Sequence, residues 1–342
     1  MIYIIKIMPK RIPILFLFIF FSYDLPAQSD KDQLRVVFYN VENLFDVLND
    51  SLKMDDEFTP EGSRKWTLGR YKQKLSNIYR TLIAIGGWEP AGIIGLCEVE
   101  NYKVLSDLVE KTPLKQLDYQ IIHKESPDHR GIDVALLYRR EMFRPITYEP
   151  IPVQGRDPIE WVSREILYVK GVVFGSDTIH LFVNHWPSRS GGQIRSEPRR
   201  IYAASALKIL TDSLRRHEKD PKIVIIGDFN DNPDDKSMML LAGEGSGLVN
   251  IMNDLYKKGE GTLAFNNAFM QWYLFDQIIV SDAIYYGKSL TVSQPVIFKA
   301  DWLKDKKTGR PFRTYQGIIY KGGFSDHFPV YVDLEKIVNK NE

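Results

Sequence analysis

Lys222-Ile223-Val224-Ile225-Ile226 runs without a break into Gly227-Asp228-Phe229-Asn230-Asp231. The first five residues are apolar after the lysine and mostly β-branched. They read as a short strand covered on both faces. The glycine and the acid–amide set that follow end the strand, which presents their side chains at the rim of a sheet. The arrangement recurs along the chain. A first strand, Leu34–Tyr39, ends in Asn40-Val41-Glu42-Asn43, and a second, Ile93–Val99, carries Glu98 and continues into Glu100-Asn101. Thr178–Val183 leads into Asn184-His185-Trp186-Pro187-Ser188-Arg189. Near the C-terminus Phe275-Asp276-Gln277 opens a strand, and Ser325-Asp326-His327 precedes the last one, Phe328–Val332.

Between these strands the pattern changes period. Tyr71, Leu75, Ile78, Leu82 and Ile85 recur at spacings of four and three, which predicts a helix with Lys72, Lys74 and Arg80 mostly on its other face. Ile132–Tyr138, Ile166–Phe174 and Thr178–His185 read as further strands, the last two joined by a turn at Gly175-Ser176-Asp177. A helix is expected over Pro198–Arg216 and a strand over Phe275–Val280, while residues 140–165 and 236–262 read as loops and insertions. Strands outnumber helices and many are neighbours in sequence, so the fold expected is a mixed α/β sandwich, not a simple βαβ winding. From about Leu34 onward no repeat, low-complexity linker or charge block divides the chain, and one domain over residues 30–338 is expected.

The chain has 342 residues, is 44% hydrophobic, and balances 45 Lys+Arg against 44 Asp+Glu. That composition excludes a disordered chain and one that grips nucleic acid by bulk positive charge. The single cysteine, Cys97, excludes an internal disulfide and a cysteine-based zinc site; it reads as a small core residue. Lys6, Lys10 and Arg11 precede an apolar run from Ile12 to Phe21, followed by Leu25-Pro26-Ala27-Gln28. This reads as a signal peptide over residues 1–27, giving a periplasmic or secreted product. A spanning helix needs ~20 apolar residues, and no cysteine is present for a lipid anchor, so no stable membrane attachment is expected after cleavage. Losing the segment removes three positive charges and one negative, turning a formal net +1 into −1.

The strand-end residues are carboxylates, carboxamides and two histidines. Hard oxygen ligands suit Mg²⁺ or Mn²⁺, with Ca²⁺ as an auxiliary ion, over zinc. A divalent ion with a His–Asp pair provides what phosphate-ester hydrolysis needs: charge neutralisation on phosphorus and a proton carrier near neutrality. Singly, each residue has a plainer role; an Asn or Asp after a strand usually caps or turns. Glu98 stands apart, since a carboxylate after an apolar strand needs a partner or a metal.

Taken in order, the motifs resemble the endonuclease/exonuclease/phosphatase superfamily, over nearly all of residues 34–333. The resemblance implies a four-layer α/β/β/α sandwich of two mixed sheets, as in deoxyribonuclease I. It implies that Glu98, with Asn40 and Asp326, binds the metal, Glu42 lying where some relatives have a second ligand. His185 matches a catalytic histidine of deoxyribonuclease I-like members. Asp228 and Asn230 match an Asp that positions nucleophile or leaving group and an Asn that contacts phosphate. His327 matches the acid or base oriented by Asp276. Arg130, before the strand at Ile132, and Arg189 and Arg199, in the basic loop and helix start after His185, are candidate phosphate contacts, since a guanidinium fork suits a phosphate. Asp231 reads as a turn residue; Trp186 and Trp272 read as core packing before base stacking. The expected activity is an endonuclease on DNA or RNA, acting as a monomer. The alternatives are a phosphatase on phosphoinositides, other small esters or sphingomyelin-like lipids, and a binding protein that kept the scaffold without the chemistry.

Overall fold

The computed structural model describes residues 32–153, 163–265 and 270–337. The expected signal segment and both expected domain limits, 30 and 338, lie outside these residues. In chain order the strands are β1 (Gln33–Leu44), β2 (Ile93–Val99), β3 (Tyr119–His123), β4 (Asp133–Arg139), β5 (Phe143–Ile151), β6 (Ile166–Val173), β7 (Asp177–His185), β8 (Lys222–Asp228), β9 (Leu248–Asn250), β10 (Leu263–Phe265), β11 (Gln271–Tyr273), β12 (Asp276–Ser281), β13 (Leu290–Val292), β14 (Val296–Ile297), β15 (Tyr315–Gln316), β16 (Ile319–Tyr320) and β17 (Val330–Lys336). The α-helices are α1 (Leu68–Gly86), α2 (Tyr102–Glu110), α3 (Gln193–His217), α4 (Lys236–Ala242), α5 (Asn253–Lys257) and α6 (Asp282–Tyr285).

Alternate residues of β1 pack to opposite sides: Val36 and Phe38 into one buried cluster, Val37 and Tyr39 into another. β8 does the same, with Val224 and Ile226 on one side and Ile223 and Ile225 on the other. This two-residue period lets each sheet bury both faces. One sheet runs β13-β17-β1-β2-β4-β3, with β14 also on β17; the other runs β5-β6-β7-β8-β12-β9. Only β1–β2 and β7–β8 pair parallel in these two sheets. The shared cluster of Phe38, Ile93, Val183, Val224, Ile226 and Val332 lies between the sheets. The β1 outer face packs with Ile78, Leu82, Leu105 and Leu108 of α1 and α2, and the β8 outer face with Ala203, Leu207 and Leu241 of α3 and α4. The result is the expected α/β/β/α order.

α1 begins where the Thr67 side chain accepts from Arg70 N, a standard N-cap. Its buried face is the one the spacing predicts, with one addition. Lys74, expected among the solvent-facing cations, is buried, and its Nζ donates to Thr314 Oγ1 at 2.6 Å and Phe324 O at 2.8 Å. Residues 140–165 are not all loop: β5 occupies Phe143–Ile151, with 154–162 outside the described set. Residues 236–262 contain α4, β9 and α5. α3 starts five residues before Pro198, placing the proline inside the helix, and β17 begins two residues later than expected and runs on to Lys336. Both sequence signals were local, whereas these limits are set by packing and pairing.

Candidate active site

Parallel pairing sets β7 beside β8 with Asn184 opposite Gly227 and His185 opposite Asp228. A Cβ on Gly227 would stand 2.5 Å from Asn184 Cβ. Only glycine permits the approach that brings this imidazole and this carboxylate together. In the facing sheet the β1–β2 pairing shifts register between Asn40 and Leu44, and β2–β4 shifts between Cys97 and Val99. Such bulges re-aim side chains at a rim. Glu98, Glu42, Asn43 and Asn230 all carry positive φ, between 51° and 60°. For residues other than glycine this conformation is strained, and strain of this kind collects at functional sites.

These devices converge on one cluster. Asn40 Nδ2 donates to Asp228 Oδ2 at 3.0 Å and to Glu98 Oε1 at 3.3 Å, while Asn43 N donates to Glu98 Oε2 at 3.0 Å. His185 Nε2 is 3.7 Å from Asp228 Oδ2 and 3.8 Å from Glu98 Oε1. His327 Nε2 is 3.9 Å from the same Asp228 oxygen and 3.9 Å from Asp326 Oδ1. His327 Nδ1 is bonded to Asp276 Oδ2 at 2.6 Å, and Ser325 Oγ ties the segment down through Asn40 O and His327 N. Asp228 Oδ1 accepts from Asn230 N, and Asn230 Nδ2 bonds Trp186 O. Eight of the residues singled out from the sequence, Asn40, Glu98, His185, Asp228, Asn230, Asp276, Asp326 and His327, therefore lie in one linked cluster.

The two imidazoles sit in opposite environments. Burial, with the nearby charges of Arg164, Arg130 and His327, holds His185 well below the ordinary histidine range. Burial also acts to lower His327, but the carboxylates of Asp276, Asp228 and Asp326 outweigh it and hold the ring well above that range. Burial first, then the Asp276 charge, raises Asp228 to about 7. Among the described residues His185 Nδ1 is buried with no hydrogen-bond partner, which favours a neutral ring with its proton on Nε2, toward the carboxylates.

Glu98 and Asp228 fit a hard divalent ion. Among the described residues no Lys or Arg forms an ion pair with either, so the two carboxylates share the Asn40 amide with no cation in direct contact. Carboxylate and carboxamide oxygens are the ligands Mg²⁺ selects. Of the expected ligands, Glu98 and Asp326 would hold such an ion, whereas Asn40 turns its Nδ2 to the carboxylates and its Oδ1 accepts from Glu42 N.

The remaining residues singled out from the sequence have other partners in the fold. The Glu42 carboxylate does not turn to Glu98: it accepts from Thr314 N and Arg313 Nε. Burial and the charge of Asp326 raise it to about 7. Arg189 is not a free clamp; it is bonded to Asp231 Oδ1 at 2.9 Å, to Asp235 and to Asn230 O, and lies over the Phe275 ring. Asp231 is no plain turn residue but a buried hub that also takes Arg200 Nε at 2.8 Å and Ser237 Oγ. Arg199 is exposed on α3. Arg130 is half-exposed beside Asp128, close enough for its charge to act on His185. Trp186 is core, edge-on to Phe229, and Trp272 stacks on Phe328. Cys97 is buried, with Sγ grouped with His185 and Asp228. Sequence reasoning missed Arg313, whose Nη2 bonds Asp326 Oδ2 at 2.9 Å, and Arg164, buried and bonded to Trp186 O and Asp128. Neither sits at a strand end that would have flagged it.

A helix-flanked double sheet with hard oxygen donors and two imidazoles gathered at strand ends defines a class, the metal-dependent phosphoesterases of the deoxyribonuclease I-like fold. The chain belongs to the Endonuclease/Exonuclease/phosphatase family, whose model matches residues 35–336. Its members hydrolyse phosphate esters with a divalent metal, and this chain is such an enzyme. Solved structures share the fold. The TDP2 of D. rerio complexed with single strand DNA product superposes with a TM-score of 0.56 at 14% identity, covering 89% of this chain and 99% of that one. The mannosyl-6-phosphatase of Bacteroides thetaiotaomicron gives 0.55 at 18%, covering 88% and 99%. The human Nocturnin catalytic domain gives 0.57 at 17%, covering 89% and 95%. No curated protein matches the chain. No helix of the described residues is long and apolar enough to cross a membrane.

Proposed function

We propose that this enzyme is exported, binds Mg²⁺, and cleaves phosphodiester bonds in DNA or RNA as an endonuclease by in-line attack of water on phosphorus. The observation that supports the chemistry is the approach of two imidazole Nε2 atoms to one Asp228 oxygen, at 3.7 and 3.9 Å. When bound, the metal supplies charge neutralisation on the phosphoryl oxygens. Asp228, between the two rings and fixed by Asn40 and Asn230, orients the attacking water and takes its proton. His327, held by Asp276, carries the proton that the leaving oxygen requires. His185 keeps its proton on Nε2 and donates to the phosphoryl group. Nucleic acid is preferred because Arg130 adds a cation beside the cluster, suited to a polyanionic strand.

A small phosphate ester is the second reading. A cavity of about 170 Å³ beside Glu42 and Asn43 supports it, together with the fold shared with the mannosyl-6-phosphatase. Plasmid DNA, RNA, inositol phosphates and sphingomyelin assayed in parallel, at equal Mg²⁺ and salt, decide between them. Turnover of the nucleic acids is expected; cleavage of the small or lipid phosphates alone overturns the nuclease reading. N-terminal sequencing of the exported protein should start at Gln28, and an uncleaved N-terminus would refute the signal assignment.

A further inference from the structure

The cavity of about 170 Å³ is lined by Asn43 and Arg313, which hydrogen-bond Glu98 and Asp326. One wall includes Asn43, whose backbone N–H holds the Glu98 carboxylate. Its other walls include two guanidinium groups, Arg64 and Arg313. Arg64 is fixed in orientation: its guanidinium carbon lies 4.9 Å from the Phe58 ring centre and 5.0 Å from that of Tyr315. Nε sits 3.0 Å from Glu57 Oε2, and Nη1 donates to Gly317 O. Arg313 uses Nε on Glu42 and Nη2 on Asp326. Among the described residues Nη2 of Arg64 and Nη1 of Arg313 have no acceptor. Each guanidinium is paired with an acid, Arg64 with Glu57 and Arg313 with Asp326 and with Glu42, whose carboxylate also lines the cavity, and a rigid fork that keeps a spare donor is suited to an oxyanion. The volume is several times the ~30 Å³ share of one water, room for a tetrahedral anion.

We propose that this cavity is a subsite for a second phosphate of the substrate, so the enzyme favours phosphate esters that carry another phosphate near the scissile one, with Arg64 as a specificity-determining residue. The proposal rests on the phosphoesterase reading of the adjoining cluster. The shared chemistry has two sources, the flanking phosphate of a nucleotide strand and a small polyol bisphosphate.

Inhibition of bis(p-nitrophenyl) phosphate hydrolysis by the Mg²⁺-loaded enzyme tests it. Thymidine 3′,5′-bisphosphate should inhibit at least tenfold more tightly than thymidine 5′- or 3′-monophosphate. Arg64→Ala should erase that gap, weakening the bisphosphate to the level of the monophosphates. Arg64→Lys, which keeps the charge and fills the same space, should restore part of it and shows that the loss is not unfolding. Inositol bisphosphate against monophosphate gives the second arm: a tenfold gap there alone assigns the subsite to polyols. Equal inhibition by mono- and bisphosphates in both arms, or a gap that survives in Arg64→Ala, overturns the proposal. Absence of turnover on the reference diester refutes the catalytic reading instead, and direct calorimetric binding of the same compounds still reads out the subsite.

Discussion

His327 shows how much one hydrogen bond decides. With Nδ1 on Asp276, its Nε2 is aimed at Asp228, and its proton is held by three carboxylates against the pull of burial. Losing a positioned proton carrier costs typically 10²–10⁴-fold, so His327→Ala should lower kcat by at least ~10²-fold on a diester with the fold intact by circular dichroism. An unimpaired variant would remove the histidine from the mechanism. Glu100 makes a prediction about stability. Burial, then the charges of Asp46 and Asp55, raises it from 4.5 to about 8. A carboxyl with a raised folded-state value binds its proton more tightly when folded. Its contribution is complete below about 4.5 and is lost as pH climbs toward about 8. Glu100→Gln can still accept from Asp46 N, so its melting temperature should exceed that of the parent at pH 8 and match it near pH 4. A pH-independent difference would contradict the assignment.

At the scale of elements, the parallel pair β7–β8 carries the site because Gly227 lets Asn184 come close. Gly227→Ala should cost ~1–3 kcal/mol as an overpacking defect, read from the urea midpoint, and should lower turnover by displacing Asp228 from His185. A neutral effect on both would show that the close approach is not needed. The Asp231 hub ties the segment after β8 to α3 through Arg200, which is fully buried, and to the segment before α3 through Arg189. Asp231→Ala would strand the buried Arg200, while Arg189 keeps Asp235, and should cost ~3–5 kcal/mol; a change below ~1 kcal/mol would mean the Arg200 charge finds water. The elements also show what could be read in advance. The strands that carry Asn40, Glu98, His185 and Asp228 were legible because apolar runs meet polar residues there, although β1 continues past Asn40 to Leu44. Lys74 was not, since its helix position faces solvent by spacing but meets Thr314, 240 residues away. β5 was missed because residues 143–151 are mostly exposed and carry two prolines, which weakens the strand signal.

For the whole molecule, a near-neutral chain must grip phosphate locally. The arginines of the loop after His185 looked like that grip, and the fold instead spends Arg189 and Arg200 on its own carboxylates. The positive charge near the cluster comes from Arg164, Arg130 and Arg313, with Arg64 at the adjoining cavity, from segments far apart in sequence that only the assembled sandwich brings together. This is why the catalytic set was readable and the substrate side was not. The central claim is that this assembled cluster hydrolyses phosphate esters with a metal on Glu98. The direct measurement is hydrolysis of bis(p-nitrophenyl) phosphate by the purified enzyme and its Glu98→Gln variant, with Mg²⁺ and with chelator. Turnover by the parent that chelator abolishes and Mg²⁺ restores, with the variant reduced by at least ~10²-fold, is the result expected when a metal ligand is lost. Turnover that survives both the chelator and the substitution would contradict the account.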